Sequence, residues 1–401
     1  FSYINYRWLK LPNTIGLLIM ALLFTSVILF FQTSIPDFYM FFCNLVIDVN
    51  FNELLLDVLL SFLLFAGAMH VNIKALKKER WSVLLFATIG VLLSTAIVGT
   101  LVYYCSQWLS VDFPFVYALA FGALISPTDP IAVIAILKQS GVEESMLTKI
   151  EGESLFNDGI GVVVFSAVGL FLNSSAQHTE SAGAHIGELF ISEVLGGLIL
   201  GAIIGVLGYK LMKSVLKSSE MLFMLSLATV VGGYATASLL EFSGPLAMVV
   251  AGLIIGNKLH LNDVKDKSEL WVLEKIWKNI DEVLNAVLFV LIGLSVHLLN
   301  FSWNWFWMGL LAILIVLFAR FIAVLLPYEL ISQREDKHLR RVAILTWGGL
   351  RGGISIALAL GLNIGGNAAE FIVFITFMVV LFSILVQGLS IGGVYRQLLS
   401  K

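Results

Sequence analysis

The chain has 401 residues, 59% of them hydrophobic and only 13% charged, with a mean hydropathy of +0.95. That composition excludes a soluble globular domain of this size and establishes an all-α polytopic membrane protein. The formal net charge of −3 says little about partners, because the position of each charge matters more than the sum, and no nucleic-acid partner is expected. Cys43 and Cys105 are the only thiols, so there is no disulfide framework. Both read as buried and inert, with no redox or metal role, and no cofactor is expected.

The opening FSYINYRWLK reads as the end of an apolar segment with a basic exit and predicts a further span upstream; it lacks the layout of a signal peptide. Apolar runs long enough to cross about 30 Å of hydrocarbon follow at 12–32, 54–73, 83–105, 115–137, 152–172, 188–213, 222–240, 244–257, 279–299, 303–330, 340–361 and 370–393. If the segment before residue 12 is cytoplasmic, all but two of the 24 Lys and Arg residues fall in alternate loops on that one side. Among them are Lys74, Lys77, Lys78 and Arg80, then Lys265 and Lys267, then Arg334 and Lys337, with Lys401 at the end. This bias sets the orientation by the positive-inside rule and places both ends of the chain in the cytoplasm of a bacterial inner membrane. It also supports the short run at 244–257, because Lys217 and Lys258 come out on the same side only if two spans separate them. The external loops carry acids instead, Asp48 and Glu180 among them, and Trp303, Trp305, Phe306 and Trp307 fit an interfacial belt at the outer boundary.

The remaining basic residues, Arg320 and Arg351, lie inside spans, as do the acids Asp129, Glu153 and Asp158. A charge in hydrocarbon costs several kcal/mol and persists only with a partner or in a water-filled cavity, so these five mark a site. In ALISPTDPIAV, Pro127 and Pro130 bracket Thr128 and Asp129, and helix is predicted to stop and restart there. In TWGGLRGGISIAL, four glycines surround Arg351 and predict a second interruption. Paired interruptions in corresponding halves are the sequence pointer to a transporter site built on inverted repeats. Crossed half-helices bring opposite dipole ends to the midplane, where Asp129 and Arg351 would neutralise them and pair, directly or through water; the alternative, compatible with pairing, is that Asp129 simply caps the restarted half-helix.

Between the two breaks stands GESLFNDGIGVVVF, where Ser154 and Asp158 share one helix face, while Glu153 and Asn157 lie about one residue round. The two acids therefore point to different places. Gly152, Gly159 and Gly161 leave room for another backbone. Arg320 is the cation left for Glu153, as an architectural pair, with Glu153 as a second ion ligand the alternative. Asp158 then has no countercharge and must take a proton or a metal ion, so Na⁺ and H⁺ compete for it. The Ser154 hydroxyl and a freed carbonyl near Thr128 supply the neutral oxygens a hard cation needs.

On SPTDPIAV, GESLFNDG, the LFARF arginine and TWGGLRGGISIAL, in this order and spacing, the chain resembles the monovalent cation/proton antiporters of the NhaP type, related to the animal Na⁺/H⁺ exchangers. The likeness covers essentially the whole chain. It implies thirteen helices, an inverted-repeat antiporter fold with two crossed broken helices, a homodimer in membrane lipid and elevator-like alternating access. Residues 1–401 would form one transmembrane unit, with core elements at about 83–172 and 303–393 and dimerisation or scaffold elements at about 12–73 and 188–299. By the same resemblance Asp158 is the ion- and proton-binding aspartate, and Ser154 and Thr128 are further ligands of Na⁺. Asp129 with Arg351 is the pair at the crossing, and Glu153 with Arg320 the structural pair. The Asn157–Asp158 sequence implies electroneutral exchange of one Na⁺ or Li⁺ for one proton. One departure is Ala66, where some relatives have a glutamate that contributes to the cation site.

K⁺/H⁺ antiport would use the same ligands. A cation channel finds no carbonyl-filter motif, and an aspartyl protease would need two acids sharing a proton. Further candidates are weak. His70, His260 and His338 lie near the cytoplasmic side as pH sensors, and His178 and His185 are too sparse for a metal site. Asp281 and Glu282 stand at a span start, either as a cation funnel or as solvated acids.

Overall fold

The computed structural model describes residues 1–32, 34–41, 59–71, 73–174, 182–261, 268–296, 301–331, 338–362 and 367–399. Cys43, Asp48, His178, Glu180, Lys265, Lys267, Arg334, Lys337 and Lys401 lie outside the described residues. The rest is helix and short connection, without a strand among the described residues, as expected where each backbone amide must find its partner inside its own segment.

The helices are α1 Asn13–Phe30, α2 Leu60–His70, α3 Arg80–Trp108, α4 Phe115–Ile125, α5 Ile131–Gln139, α6 Glu144–Ser174 and α7 Ala182–Ser214. They continue with α8 Ser219–Leu239, α9 Gly244–Leu261, α10 Ser268–Ser295, α11 Trp303–Ile331, α12 His338–Trp347 and α13 Gly353–Leu360. The last span is α14 Asn367–Phe382, running through a π-helical turn at Ser383–Gln387 into α15 Gly388–Leu399. All twelve predicted runs contain helix, and the short one forms the 18-residue α9. Pro12, Pro114 and Pro130 sit at the N-caps of α1, α4 and α5, where a missing N–H costs nothing. Among the described residues, six spans are long and apolar enough to cross a membrane by length and composition alone. The charged helices α6 and α10 start well before the predicted 152–172 and 279–299, at Glu144 and Ser268, because polar turns precede the apolar stretch of each. Cys105 is half-buried rather than buried, on a face of α3 shared with exposed Tyr104 and Trp108.

Small residues decide which helices touch. A Cβ on Gly122 of α4 would lie 2.5 Å from the Thr95 carbonyl oxygen of α3, so these two helices meet backbone to backbone. On α7, Gly201 and Gly205 meet the backbone at Ala247 and Ala251 of α9. Gly252 and Gly256 of α9 in turn meet the carbonyls of Phe65 and Met69 on α2. One packed group joins α3, α4, α6, α11, α13 and α14 around Phe121, Phe371 and Phe377. A second joins α2, α7, α8, α9 and the start of α10 around Trp277, whose indole N–H donates to Ser226 Oγ at 2.9 Å. Between them lies a thin apolar seam of Leu60, Leu64, Leu155, Val249 and Leu253, while α1 and the second half of α10 pack onto the first group.

Candidate cation site

The first helix break falls where the prolines place it. α4 ends at Ile125 and α5 starts at Ile131, leaving Ser126 to Pro130 unwound. The second lies between Trp347 and Gly353. The two breaks touch: the Asp129 N–H donates to the Leu350 carbonyl at 2.8 Å, and a Cβ on Gly352 would lie 2.5 Å from Asp129 Cβ. Only glycine leaves room for the aspartate there.

Of the two forms of pairing expected of Asp129 and Arg351, the direct ion pair is not formed; each charge meets backbone groups instead. The Arg351 guanidinium donates through Nη1 to the carbonyls of Ser126 and Pro127, the frayed C-terminal end of α4. Asp129 Oδ1 accepts the Ile131 N–H at 3.0 Å, at the N-terminal end of α5. Each charge thus meets the dipole end of opposite sign, and the unpaired peptide groups of a broken helix outbid the side chain across the gap. The Arg351 N–H is held by Ser383 Oγ at 2.8 Å, and Gln387 donates to the Trp347 carbonyl at 3.1 Å, so the π-helical turn frames the second break.

On α6 the two faces separate as the helical spacing predicts. Glu153 receives both terminal nitrogens of Arg320, one of them at 3.0 Å from Oε2, and both side chains are buried. Arg320 also reaches the Leu345 carbonyl at 3.3 Å, and Gly349 is what admits it, since a Cβ there would lie 2.5 Å from Nε. Asn157 clamps the first break by accepting from the Thr128 N–H at 3.3 Å and donating to the Thr128 hydroxyl at 2.9 Å. Ser154 Oγ donates to the Thr128 carbonyl, so two predicted ligand oxygens are already in contact. Gly152, Gly159 and Gly161 admit side chains rather than a backbone. These are Leu76 and Val83, Leu246, and the Pro127 ring, which would lie 2.1 Å from a Cβ on Gly161.

Asp158 makes no hydrogen bond or ion pair with any described residue. It lines a cavity of about 340 Å³ together with Thr128, Asp129, Ser154, Asp281, Asn285 and Ser355. The same cavity reaches His70 on α2 and the ion pair of Lys138 with Glu151 at 3.1 Å, all at the end where the basic loops lie. His70 and Lys138 are exposed, so the cavity that holds Asp158, with leucines and isoleucines among its walls, reaches the outside at these two residues. Ala66 is fully buried in the cluster around Trp277 and does not line the cavity; its neighbour Gly67 does. Asp281 faces the cavity, whereas Glu282 points outward, so only one of that pair fits a funnel. His338 Nε2 lies 3.1 Å from Glu329, away from the cavity.

The chain matches the family described as sodium/hydrogen exchanger, transmembrane, over residues 1–397. It belongs to the sodium/hydrogen exchanger family. Among relatives in this family, it is 42% identical to the Na(+)/H(+) antiporter NhaP of Pseudomonas aeruginosa, covering 99% of this chain and 93% of that protein. It is 32% identical to the Na(+)/H(+) antiporter NhaH of Halobacillus dabanensis, covering 87% and 84%. Its fold matches the structure of the sodium proton antiporter MjNhaP1 of Methanocaldococcus jannaschii with a TM-score of 0.75 and 22% identity, over all of this chain and 95% of that one. The exchanger-family chain is therefore a multi-pass membrane transporter with the antiporter fold. Two cavity residues escaped sequence reasoning, Asn285 and Ser355. Their signals were present but faint: an amide one turn after Asp281, and a hydroxyl just past the glycines of the second break.

Proposed function

We propose that the protein exchanges Na⁺ for H⁺ by alternating access, with Asp158 taking each in turn. The reading is carried by one observation, a carboxylate that makes no ion pair with any described residue and lines a cavity open to the exposed His70 and Lys138. Ser154 Oγ and the Thr128 carbonyl stand beside it as neutral ligands, ready to turn from each other to a bound cation. Asp129, Asn157 and Arg351 hold the unwound segment in place, and Glu153 with Arg320 braces α6 against α11. One carboxylate that carries either a proton or a monovalent cation moves the same charge both ways, so the exchange is one for one and electroneutral. The basic loops put the cavity mouth in the cytoplasm, and this conformation is then open inward. The packed group of segments 83–172 and 303–393 is the moving core. Segments 12–73 and 188–299 form the scaffold of a homodimer, whose α7 exposes Leu195, Ile199 and Ile203.

Exchange in proteoliposomes tests this, measured with Na⁺, Li⁺ and K⁺ separately, with and without a valinomycin clamp. Na⁺- and Li⁺-driven proton flux insensitive to the clamp is expected, and Asp158→Asn should abolish it in a protein that still folds. Retained exchange in that variant contradicts the assignment. Flux with K⁺ alone reassigns the ion, and flux that follows the clamp removes electroneutrality.

A further inference from the structure

The cavity is lined by three aspartates, more than the proposed transport site uses. Asp129, Asp158 and Asp281 all line it; Asp129 lies close enough to each of the other two for their charges to interact. The lysine at the mouth, Lys138, is already paired with Glu151, and Arg351 is turned to carbonyls. Asp281 stands on α10, in the wall facing the first break. Asn285, one turn on and only 3% exposed, donates to Asp281 Oδ1 at 3.1 Å and to its carbonyl at 2.9 Å. Its own side-chain oxygen accepts from no described residue. The next turn brings Leu288, against which Gly353 at the start of α13 packs, with a Cβ position 2.5 Å from the leucine side chain. Two residues on, Ser355 lines the cavity from α13. Ser355 is 1% exposed, yet its hydroxyl has no partner among the described residues.

We propose that Asp281, Asn285 and Ser355 form a second, outer subsite for a monovalent cation, occupied on the way to Asp158. A carboxylate, an amide oxygen and a hydroxyl are the hard oxygen donors a partly hydrated Na⁺ accepts. The three come from α10 and α13, whereas Asp158, Ser154 and Thr128 come from α6 and the first break, and both sets line the one cavity. An outer cation lowers the repulsion among the three aspartates and raises the local cation concentration at Asp158, as charged clefts do. The inference deepens the Na⁺/H⁺ reading and rests on it for the ion's identity.

The test separates the two. Na⁺ binding to the full purified chain is followed by calorimetry against choline at constant ionic strength, in wild type, Asp158→Asn, Asp158→Asn with Asp281→Asn, and Asp158→Asn with Ser355→Ala. Residual Na⁺ binding in Asp158→Asn, weakened about tenfold by either added substitution, is expected. No Na⁺ binding in Asp158→Asn, or binding indifferent to both additions, overturns the subsite. If wild type fails to exchange Na⁺ while Asp158→Asn still binds it through Asp281, the subsite stands and the transport reading falls. In proteoliposomes Asp281→Asn should raise the KM for Na⁺ about tenfold, with a smaller fall in kcat, and Asp281→Glu should recover most of it. An unchanged KM contradicts the proposal.

Discussion

Glu153 and Arg320 make a buried two-pronged contact, and its energetics differ from those of an exposed pair such as Lys138 with Glu151. Removing one partner strands a charge in a low-dielectric interior, at a cost of about 3–5 kcal/mol, whereas an exposed pair contributes at most about 1 kcal/mol. Glu153→Gln and Arg320→Gln should each lower the thermal unfolding midpoint in detergent markedly. Glu153→Leu with Arg320→Leu should lose less than the two single losses combined, since no charge is left alone. Wild-type midpoints in both single variants would remove the pair from the account. Asn157 acts differently: it carries no charge but holds Thr128 by two hydrogen bonds, each contributing about 1 kcal/mol. Asn157→Ala should destabilise by about 2 kcal/mol and raise the KM for Na⁺, because the Thr128 carbonyl loses its fixed direction. An unaltered KM, measured by Na⁺-driven proton flux, would show that the clamp does not serve the site.

At the scale of helices, the two breaks are held by packing as much as by charge. Gly161 lets α6 lie on the Pro127 ring, and a proline ring has no flexible end to swing aside. Gly161→Ala should push the first break off α6, with an overpacking cost of about 1–3 kcal/mol and a loss of exchange that exceeds the loss of folded protein. Full activity in that variant would show that the break tolerates displacement. The positions of the breaks were legible in the sequence, because Pro127 and Pro130 remove donors and the glycines round Arg351 remove helix preference, both local properties. The faces of α6 were legible too, since helical periodicity alone separates Glu153 from Asp158. The partner of Arg351 was not legible. A list of charges says which signs exist, not that the carbonyls of Ser126 and Pro127 lie nearer than the Asp129 carboxylate. Asn285 and Ser355 escaped for a related reason: neutral side chains are unremarkable until a cavity wall brings them together.

Across the whole molecule, the packing has a weak plane. The seam of Leu60, Leu64, Leu155, Val249 and Leu253 is small and apolar, without an ion pair across it among the described residues, which suits surfaces that slide. The Leu155 side chain reaches across it, its Cδ1 lying 3.8 Å from where a Cβ on Gly67 would stand. With Cys43 and Cys105 replaced by serine, oxidising Gly67→Cys with Leu155→Cys should stop exchange and a reductant should restore it; undiminished flux in the oxidised protein would show that this seam does not move. The Asp129 N–H is bound to the Leu350 carbonyl, a single peptide bond's donor in one interrupted helix reaching the other. Deuterium should therefore enter that amide slowly, and if the proposed alternating access operates, the two interruptions should travel together as one slab rather than open like a pair of jaws.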